Sequence, residues 1–339
     1  INMNNTTPKR IALIGGAGFI GHNIALELKK RGHDVHVVDS LFINNLLYFS
    51  STNNTILNRD LYLKMINERI SLLNDSRIQL HVQDAREYYQ LTHTLNKIKP
   101  QTIILLAAVA HADRSNKDPY STFDHSFRTL ENALDFARNT EWPAEHFIYF
   151  SSSMVYGNFP GGHVTEETPC EPLGIYGALK FGGEKLVIAY NQVFNLPYTI
   201  VRPSALYGER CVSRRVAQIF IENALQGRDI SIKGDGSDRL DFTYIGDLVS
   251  GIVNVVENDN SKNQIFNMTY GESRSIGDLA RIVSELFPDI KVHYDPKDSL
   301  MPDRGTLSVE KAKKMIGYTP QYPIEKGLKK YIDWYRSIL

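Results

Sequence analysis

Cysteine is nearly absent from this sequence, and so are the features that would take it out of the cytoplasm. Two cysteines, Cys170 and Cys211, occur among 339 residues, too few for a disulfide framework and without metal-binding spacing. They read as ordinary thiols in a reducing compartment. No apolar run approaches the ~20 residues that span a bilayer as a helix. The polar stretch 1–7 does not read as a secretory signal. Charge of one sign is lacking too: 38 Lys and Arg balance 38 Asp and Glu. That balance removes the electrostatic footprint of a nucleic-acid or membrane-surface binder. Internal repeats and low-complexity tracts are missing. What remains is a soluble, cytoplasmic globular protein. Its composition, 42% hydrophobic, suffices for a substantial core and for two lobes.

The apolar pattern alternates between strand and helix over the first two hundred residues. Strands are expected at 9–14, 34–39, 77–82, 102–108, 147–151 and 198–202, with helices at 18–31, 88–98, 119–138 and 176–194. Such alternation requires crossover connections, hence a Rossmann-type α/β fold with a doubly wound parallel sheet. After residue 204 the rhythm changes. Helices are expected at 213–226, 275–286, 311–316 and 324–338, with short strands at 229–233 and 290–294. This half reads as a smaller, mixed α/β substrate lobe. The expected division is 8–204 for the dinucleotide lobe, with 240–262 returning to it, and 205–239 plus 263–339 for the other.

Gly15, Gly18 and Gly21 follow the first strand with G-x-x-G-x-x-G spacing, enclosing Phe19 and Ile20. A Cβ there would block the tight turn and hold the backbone away from a pyrophosphate. The phosphates would instead accept from N–H groups at the helix N-terminus, where the dipole is favourable. Asp39 ends the second strand about twenty residues on, where an acid accepts from both ribose hydroxyls. Its charge repels the extra phosphate of NADP, so NAD is the expected cofactor. Asp84 and Ala85, beyond the third strand, are candidates for the adenine edge.

Tyr176 and Lys180 lie one turn apart on one helix face. A phenol, with an ordinary pKa of about 10, is a poor base at neutral pH. A nearby ammonium and a positive nicotinamide ring both favour its phenolate. Ser152 follows the fifth strand at the sheet edge where such folds bind ligands. Its hydroxyl can bond the oxygen that Tyr176 deprotonates.

Six stretches now run in a recognisable order: 15–21, 107–111, 151–157, 176–180, Arg202-Pro203 with Tyr207-Gly208, and Asp241-Phe242-Thr243-Tyr244. With them the chain resembles the extended short-chain dehydrogenase/reductase superfamily, in its nucleotide-sugar epimerase/dehydratase branch. The resemblance implies tightly bound NAD, with Ala107, Ala108 and Ala110 beside it. It also implies a C-terminal lobe that grips a nucleotide-sugar substrate. Tyr176 is then the acid/base, Lys180 holds the cofactor ribose and tunes Tyr176, and Ser152 polarises the substrate oxygen. Ser115, Ser153 and Met154 become substrate contacts. A homodimer through helices 119–138 and 176–194 is the corresponding assembly.

Departures from the family pattern narrow the reaction. Dehydratases of the family carry Asp-Glu after the Ser/Thr, and decarboxylases keep the Glu. This chain has Ser153-Met154, which cannot do that acid/base work. Oxidation and re-reduction at C4 remain, giving an epimerase; a 4-dehydrogenase or 4-reductase would use the same residues. A non-catalytic NAD-binding regulator of this fold would lack Tyr176 or Lys180. Ser126, Ala205 and Leu240 (with Arg239 before it) stand where relatives carry Asn, Asn and Arg. Arg210, Arg215 or Arg304 are accordingly expected at the substrate pyrophosphate, through their bidentate fork. His111 reads as a structural histidine, and segment 44–75 as a crossover longer than usual whose residues 59–73 pack as a helix beside the adenine pocket.

Overall fold

The computed structural model describes residues 6–51, 56–109, 112–298 and 300–339. β1 (Arg10–Ile14) is apolar at four consecutive buried positions, because helices cover both faces of the sheet it enters. α1 (Phe19–Lys30) buries Ile24, Ala25 and Leu28 on one stripe. β2 (Asp34–Asp39) is followed by a short helix α2 (Leu46–Ser51) and a long one, α3 (Arg59–Asp75). Then come β3 (Gln79–Val82), α4 (Tyr88–Ile98), β4 (Thr102–Leu105) and β5 (His146–Phe150).

With strands Tyr198–Arg202 and Gln264–Asn267 these form one seven-stranded sheet. Its order is Gln264–Asn267, Tyr198–Arg202, β5, β4, β1, β2, β3, parallel at every pairing. One apolar cluster covers the face that holds α1, α3 and helix Ile245–Glu257. A second lies under α4 and helices Thr129–Ala137 and Gly174–Phe194. The strand order reverses between β1 and β4, which opens a crevice beyond their carboxyl ends.

Two expectations need correction. Sequence periodicity misses the seventh strand, whose four residues are too few to show a period. The return to the sheet therefore runs past residue 262, to Asn267. The expected helix 119–138 is also not continuous: Pro119–Phe123 and Thr129–Ala137 flank a π-helical turn at Asp124–Arg128. Tertiary bonds hold that turn. Arg86 donates to Asp124 at 3.1 Å, and the Val109 N–H donates to Ser126 Oγ at 3.2 Å.

The remaining elements form the smaller lobe. Helices Val216–Leu225 and Ile276–Leu286 pack on a parallel pair, Ile230–Lys233 with Val292–Asp295, while Glu310–Ile316 lies against strand Gln264–Asn267 and Ile324–Ile338 against Thr243–Tyr244. Ser275 and Asp278 close a reciprocal capping box on one of the helices. Among the described residues, no helix is long and apolar enough to cross a membrane.

Packing of α1 against the glycine loop tolerates nothing larger than glycine at residue 21. A Cβ on Gly21 would stand 2.5 Å from Gly16 Cα and 2.8 Å from the Gly15 carbonyl oxygen. Both are backbone and cannot rotate away. Gly21→Ala is expected to destabilise the protein by about 1–3 kcal/mol; an unchanged thermal midpoint would refute this account of the packing.

Candidate active site

The first link between sequence and site is the turn after β1. Gly15 adopts φ +83°, and a Cβ there would lie 2.5 Å from the Ala107 nitrogen. β1 and the loop after β4 can therefore approach only because residue 15 is glycine. The turn is tied down by the Gly15 N–H donating to the Val38 carbonyl at 2.7 Å. Gly18 begins α1 without a side-chain cap, so no side chain takes up the first-turn N–H groups of a helix end that borders the crevice.

These elements wall a cleft that is open to solvent. Gly15, Gly18, Phe19, Ile20, Gly21, Asp39, Asp84, Ala85, Ala107 and Ala108 all line it. Ala110 and His111 lie outside the described residues. Asp39 accepts from the Ala17 N–H at 3.0 Å and the Leu41 N–H at 2.8 Å. Each carboxylate oxygen keeps a lone pair for a ribose hydroxyl. Burial raises the Asp39 pKa, while those two N–H donors and Arg69 pull it back. Asp84 is engaged by Arg86 through Nε and Nη2, which leaves less of it for adenine. A cradle free of Cβ atoms, an uncapped helix N-terminus and an acid at the end of β2 together fit NAD.

The residues expected to handle the proton come from the turn after β5 and the helix that packs on it. Tyr176 and Lys180 come from helix Gly174–Phe194, and Ser152 from the turn after β5. Gly177 lets this helix close on that turn, since a Cβ would meet the Met154 carbonyl oxygen at 2.8 Å. The Ser152 hydroxyl accepts from the Met154 N–H at 3.1 Å and is near enough to the Tyr176 phenol to favour its phenolate. Burial raises the Tyr176 pKa; the Arg215 charge and Ser152 oppose it.

Lys180 is buried and donates to the Phe150 carbonyl at 2.8 Å. Its ammonium lies 5.9 Å from the Tyr176 ring centroid. Burial pulls its pKa down to about 8, against the nearby Glu184 carboxylate. Arg215 lines the dinucleotide cleft and its charge acts on Tyr176, which links the two groups of residues.

The expected substrate contacts are distributed less evenly. Ser153 is buried, its N–H bound to the Pro203 carbonyl at 3.0 Å. Met154 shares its short helix, Ser153–Tyr156. Ser115 is fully buried in helix Ala112–Lys117, away from the cleft lining. Arg304 sits in the smaller lobe beside Asp238; burial lowers its pKa to about 10. It has no hydrogen-bond or ion-pair partner among the described residues. Arg210 is not brought to the cleft. Its guanidinium is occupied by His22 at 2.9 Å, Glu68 at 3.1 Å and Asn23 at 3.3 Å.

Four residues take places at the site that sequence reasoning did not assign them. Asn45 donates to the Ala17 carbonyl at 3.0 Å, holding the glycine loop from below. Arg69 lines the cleft from α3. Glu184 and Arg202 form a buried ion pair at 2.6 Å behind Lys180. The signal available for Arg69 is its place on the apolar stripe of α3, between Ile66 and Leu73. Glu184, one turn after Lys180, had a similar signal.

With this geometry in hand, the comparisons are specific. Residues 11–269 match the model of the NAD dependent epimerase/dehydratase family. The chain is 28% identical to a putative UDP-glucose 4-epimerase of Methanocaldococcus jannaschii, over 96% of this chain and 98% of that protein. The UDP-glucose 4-epimerase of Thermotoga maritima, solved with UDP-glucose, superposes with a TM-score of 0.82 at 25% identity, covering 96% of this chain and 98% of that one. A UDP-glucuronic acid 4-epimerase of Bacillus cereus, solved with UDP-glucuronic acid and NAD, shares the fold. Its TM-score is 0.85 at 24% identity, with coverage of 97% and 99%.

Proposed function

Because this chain belongs to the NAD-dependent epimerase/dehydratase family, we propose that it is a nucleotide-sugar 4-epimerase. The observation that carries the proposal is the Ser152–Tyr176–Lys180 group beside a dinucleotide cleft, with Met154 where an acid/base pair would serve dehydration. The similarity to UDP-glucose and UDP-glucuronic acid 4-epimerases supports it.

NAD would rest on Gly15, Gly18, Gly21, Asp39, Ala107 and Ala108, and when bound it takes up and returns the two electrons of the sugar oxidation. The chain's own residues handle the proton. Tyr176, as phenolate, accepts the proton of the C4 hydroxyl while Ser152 donates to the same oxygen. The Lys180 ammonium favours the phenolate through space. The keto sugar turns over in the site, and Tyr176 returns the proton to the oxygen as C4 is reduced on its opposite face. Met154 has no ionisable group to remove a carbon-bound proton, so the sequence of steps ends there. Arg215 and Arg304 are the proposed anchors for the substrate pyrophosphate.

Incubation of the holoenzyme with a panel of nucleotide sugars, followed by NMR without added NADH, tests the reading. Stereochemical interconversion with no net change in reduced cofactor is the expected result. Stoichiometric formation or consumption of NADH would instead identify a 4-dehydrogenase or 4-reductase. The proposal extends to a homodimer through helices 119–138 and 176–194, supported by exposed Tyr120, Phe123, Val193 and Phe194 on those segments. A monomer by analytical ultracentrifugation would remove that part. A reducing, cytoplasmic location belongs to the same proposal, and both cysteines being free thiols supports it.

A further inference from the structure

The long crossover between β2 and β3 places a charge where an apolar side chain is expected. The buried positions of α3 are Tyr62, Met65, Ile66, Arg69 and Leu73, one helical stripe in which Arg69 alone is charged. Arg69 is 1% exposed, yet it borders the dinucleotide cleft. Its Nη1 donates to the Ala17 carbonyl at 3.3 Å, and its Nε to the Arg210 carbonyl at 3.0 Å, with Nη2 bound to the same oxygen. Among the described residues, no carboxylate lies within ion-pair distance of it. A guanidinium satisfied by carbonyls alone has its hydrogen bonds but lacks a counter-charge, and burying such a charge is costly. The cost registers in its proton affinity: burial, reinforced by Arg210, lowers the Arg69 pKa to about 10.

Arg210 adds positive charge beside it, itself paired with Glu68 at 3.1 Å, while Asp39 acts on Arg69 from beyond ion-pair distance. Arg210 donates to His22 Nε2 at 2.9 Å, while His22 Nδ1 faces the Gly18 carbonyl at 2.7 Å. A carbonyl can only accept, so Nδ1 carries the proton and Nε2 is the acceptor. Burial, Arg69 and Arg210 together hold the His22 pKa well below its usual value, so the ring is neutral. Two guanidiniums thus flank the first turn of α1. Asp39 is the nearby acid, and its two oxygens already accept from the Ala17 and Leu41 N–H groups.

We propose that Arg69 is the counter-charge for the pyrophosphate of the dinucleotide, an anchor supplied by α3 in addition to the N-terminus of α1. The anion completes the pairing that the protein leaves open. This rests on the reading of the cleft as a dinucleotide site. The rival account is that Arg69 merely braces the glycine loop through the Ala17 carbonyl.

Two ligands separate these accounts: ADP-ribose, which carries the pyrophosphate, and adenosine, which shares its nucleoside but not its charge. Their binding is measured by calorimetry on parent, Arg69→Met and Arg69→Lys proteins freed of NAD, alongside the rate at which each holoenzyme loses NAD. Arg69→Met is expected to weaken ADP-ribose about 10–100-fold, the loss of one desolvated charge-assisted contact. Adenosine binding should stay within about twofold, and NAD should leave the holoenzyme correspondingly faster. Arg69→Lys keeps the charge without the fork to both carbonyls, so it should recover most of the ADP-ribose affinity. Equal weakening of both ligands in either variant leaves only the brace and overturns the proposal, as does unchanged ADP-ribose binding in Arg69→Met. Should Arg69→Met not fold, the Arg69→Lys comparison decides alone. A parent protein that binds neither NAD nor ADP-ribose would refute the dinucleotide reading itself, a different failure from that of Arg69.

Discussion

Tyr176→Phe is expected to lower turnover by about 10²–10⁴-fold, the usual worth of a positioned general acid/base, while NAD stays bound and the melting temperature is nearly unchanged. The phenol oxygen is the part removed, and no hydrogen bond of the core among the described residues depends on it. Its ring, which packs 5.9 Å from the Lys180 ammonium, is retained. The pH dependence has a definite sign. Burial favours the neutral phenol, so the parent loses activity as pH falls and the phenolate population shrinks. Residual turnover in Tyr176→Phe should lack that limb. Turnover near the parent level would reassign the acid/base role. Lys180→Met separates the tuning function from the proton transfer: it should move the acid limb to higher pH, because the ammonium no longer favours the phenolate.

The second large effect is on stability. Arg202→Met should cost about 3–5 kcal/mol in chemical denaturation, the penalty for leaving one member of a buried pair alone. Arg202 is 3% and Glu184 1% exposed at the side chain, joined at 2.6 Å. A second contact runs from Arg202 Nε to the other carboxylate oxygen at 3.0 Å. Burial alone would lower the Arg202 pKa, but Glu184 outweighs it and holds the guanidinium above its usual range. Ser151 also donates to Glu184, and Arg202 donates to the Tyr156 phenol at 2.9 Å. Tyr156 in turn donates to Asn267 at 2.6 Å. One network therefore ties β5, the helix of Tyr176 and Lys180, and the seventh strand.

Replacing both partners with apolar residues of similar size, Glu184→Leu with Arg202→Met, should cost less than either single change. Additive losses would show that the pair is not a coupled unit. Ser151 adjoins Ser152, and Glu184 is one turn from Lys180, so the single variants should lose activity along with stability.

Local chemistry made much of this protein legible in advance. β1, the glycine turn and Asp39 lie within a thirty-residue stretch, and each residue type there answers to a constraint set by its near neighbours. A Cβ at Gly15 is forbidden by backbone that any tight β1–α1 turn brings close. Tyr176 and Lys180 share a helix face by periodicity alone. Met154 is informative through the chemistry it lacks, which needs no coordinates. The π turn at Asp124–Arg128 and the strand Gln264–Asn267 were not legible, because the first is held by Arg86 and Val109 and the second by pairing with Tyr198–Arg202.

The arginines divide the two kinds of information most clearly. Sequence could nominate Arg210, Arg215 and Arg304 as cations in the right half of the chain, but a cation's role depends on which charges and carbonyls surround it. Folding turned Arg210 toward His22, Asn23 and Glu68, set Arg215 on the cleft wall, and brought Arg69 beneath the glycine loop from a helix fifty residues away. By itself the sequence determined the parallel α/β sheet, the dinucleotide turn and the placement of Tyr176 and Lys180 on one helix face, since each is specified by steric rules and spacing within a few residues. The tertiary structure alone decided which charges face the cleft, because burial and long-range pairing set a charge's free energy and neither is encoded in local order.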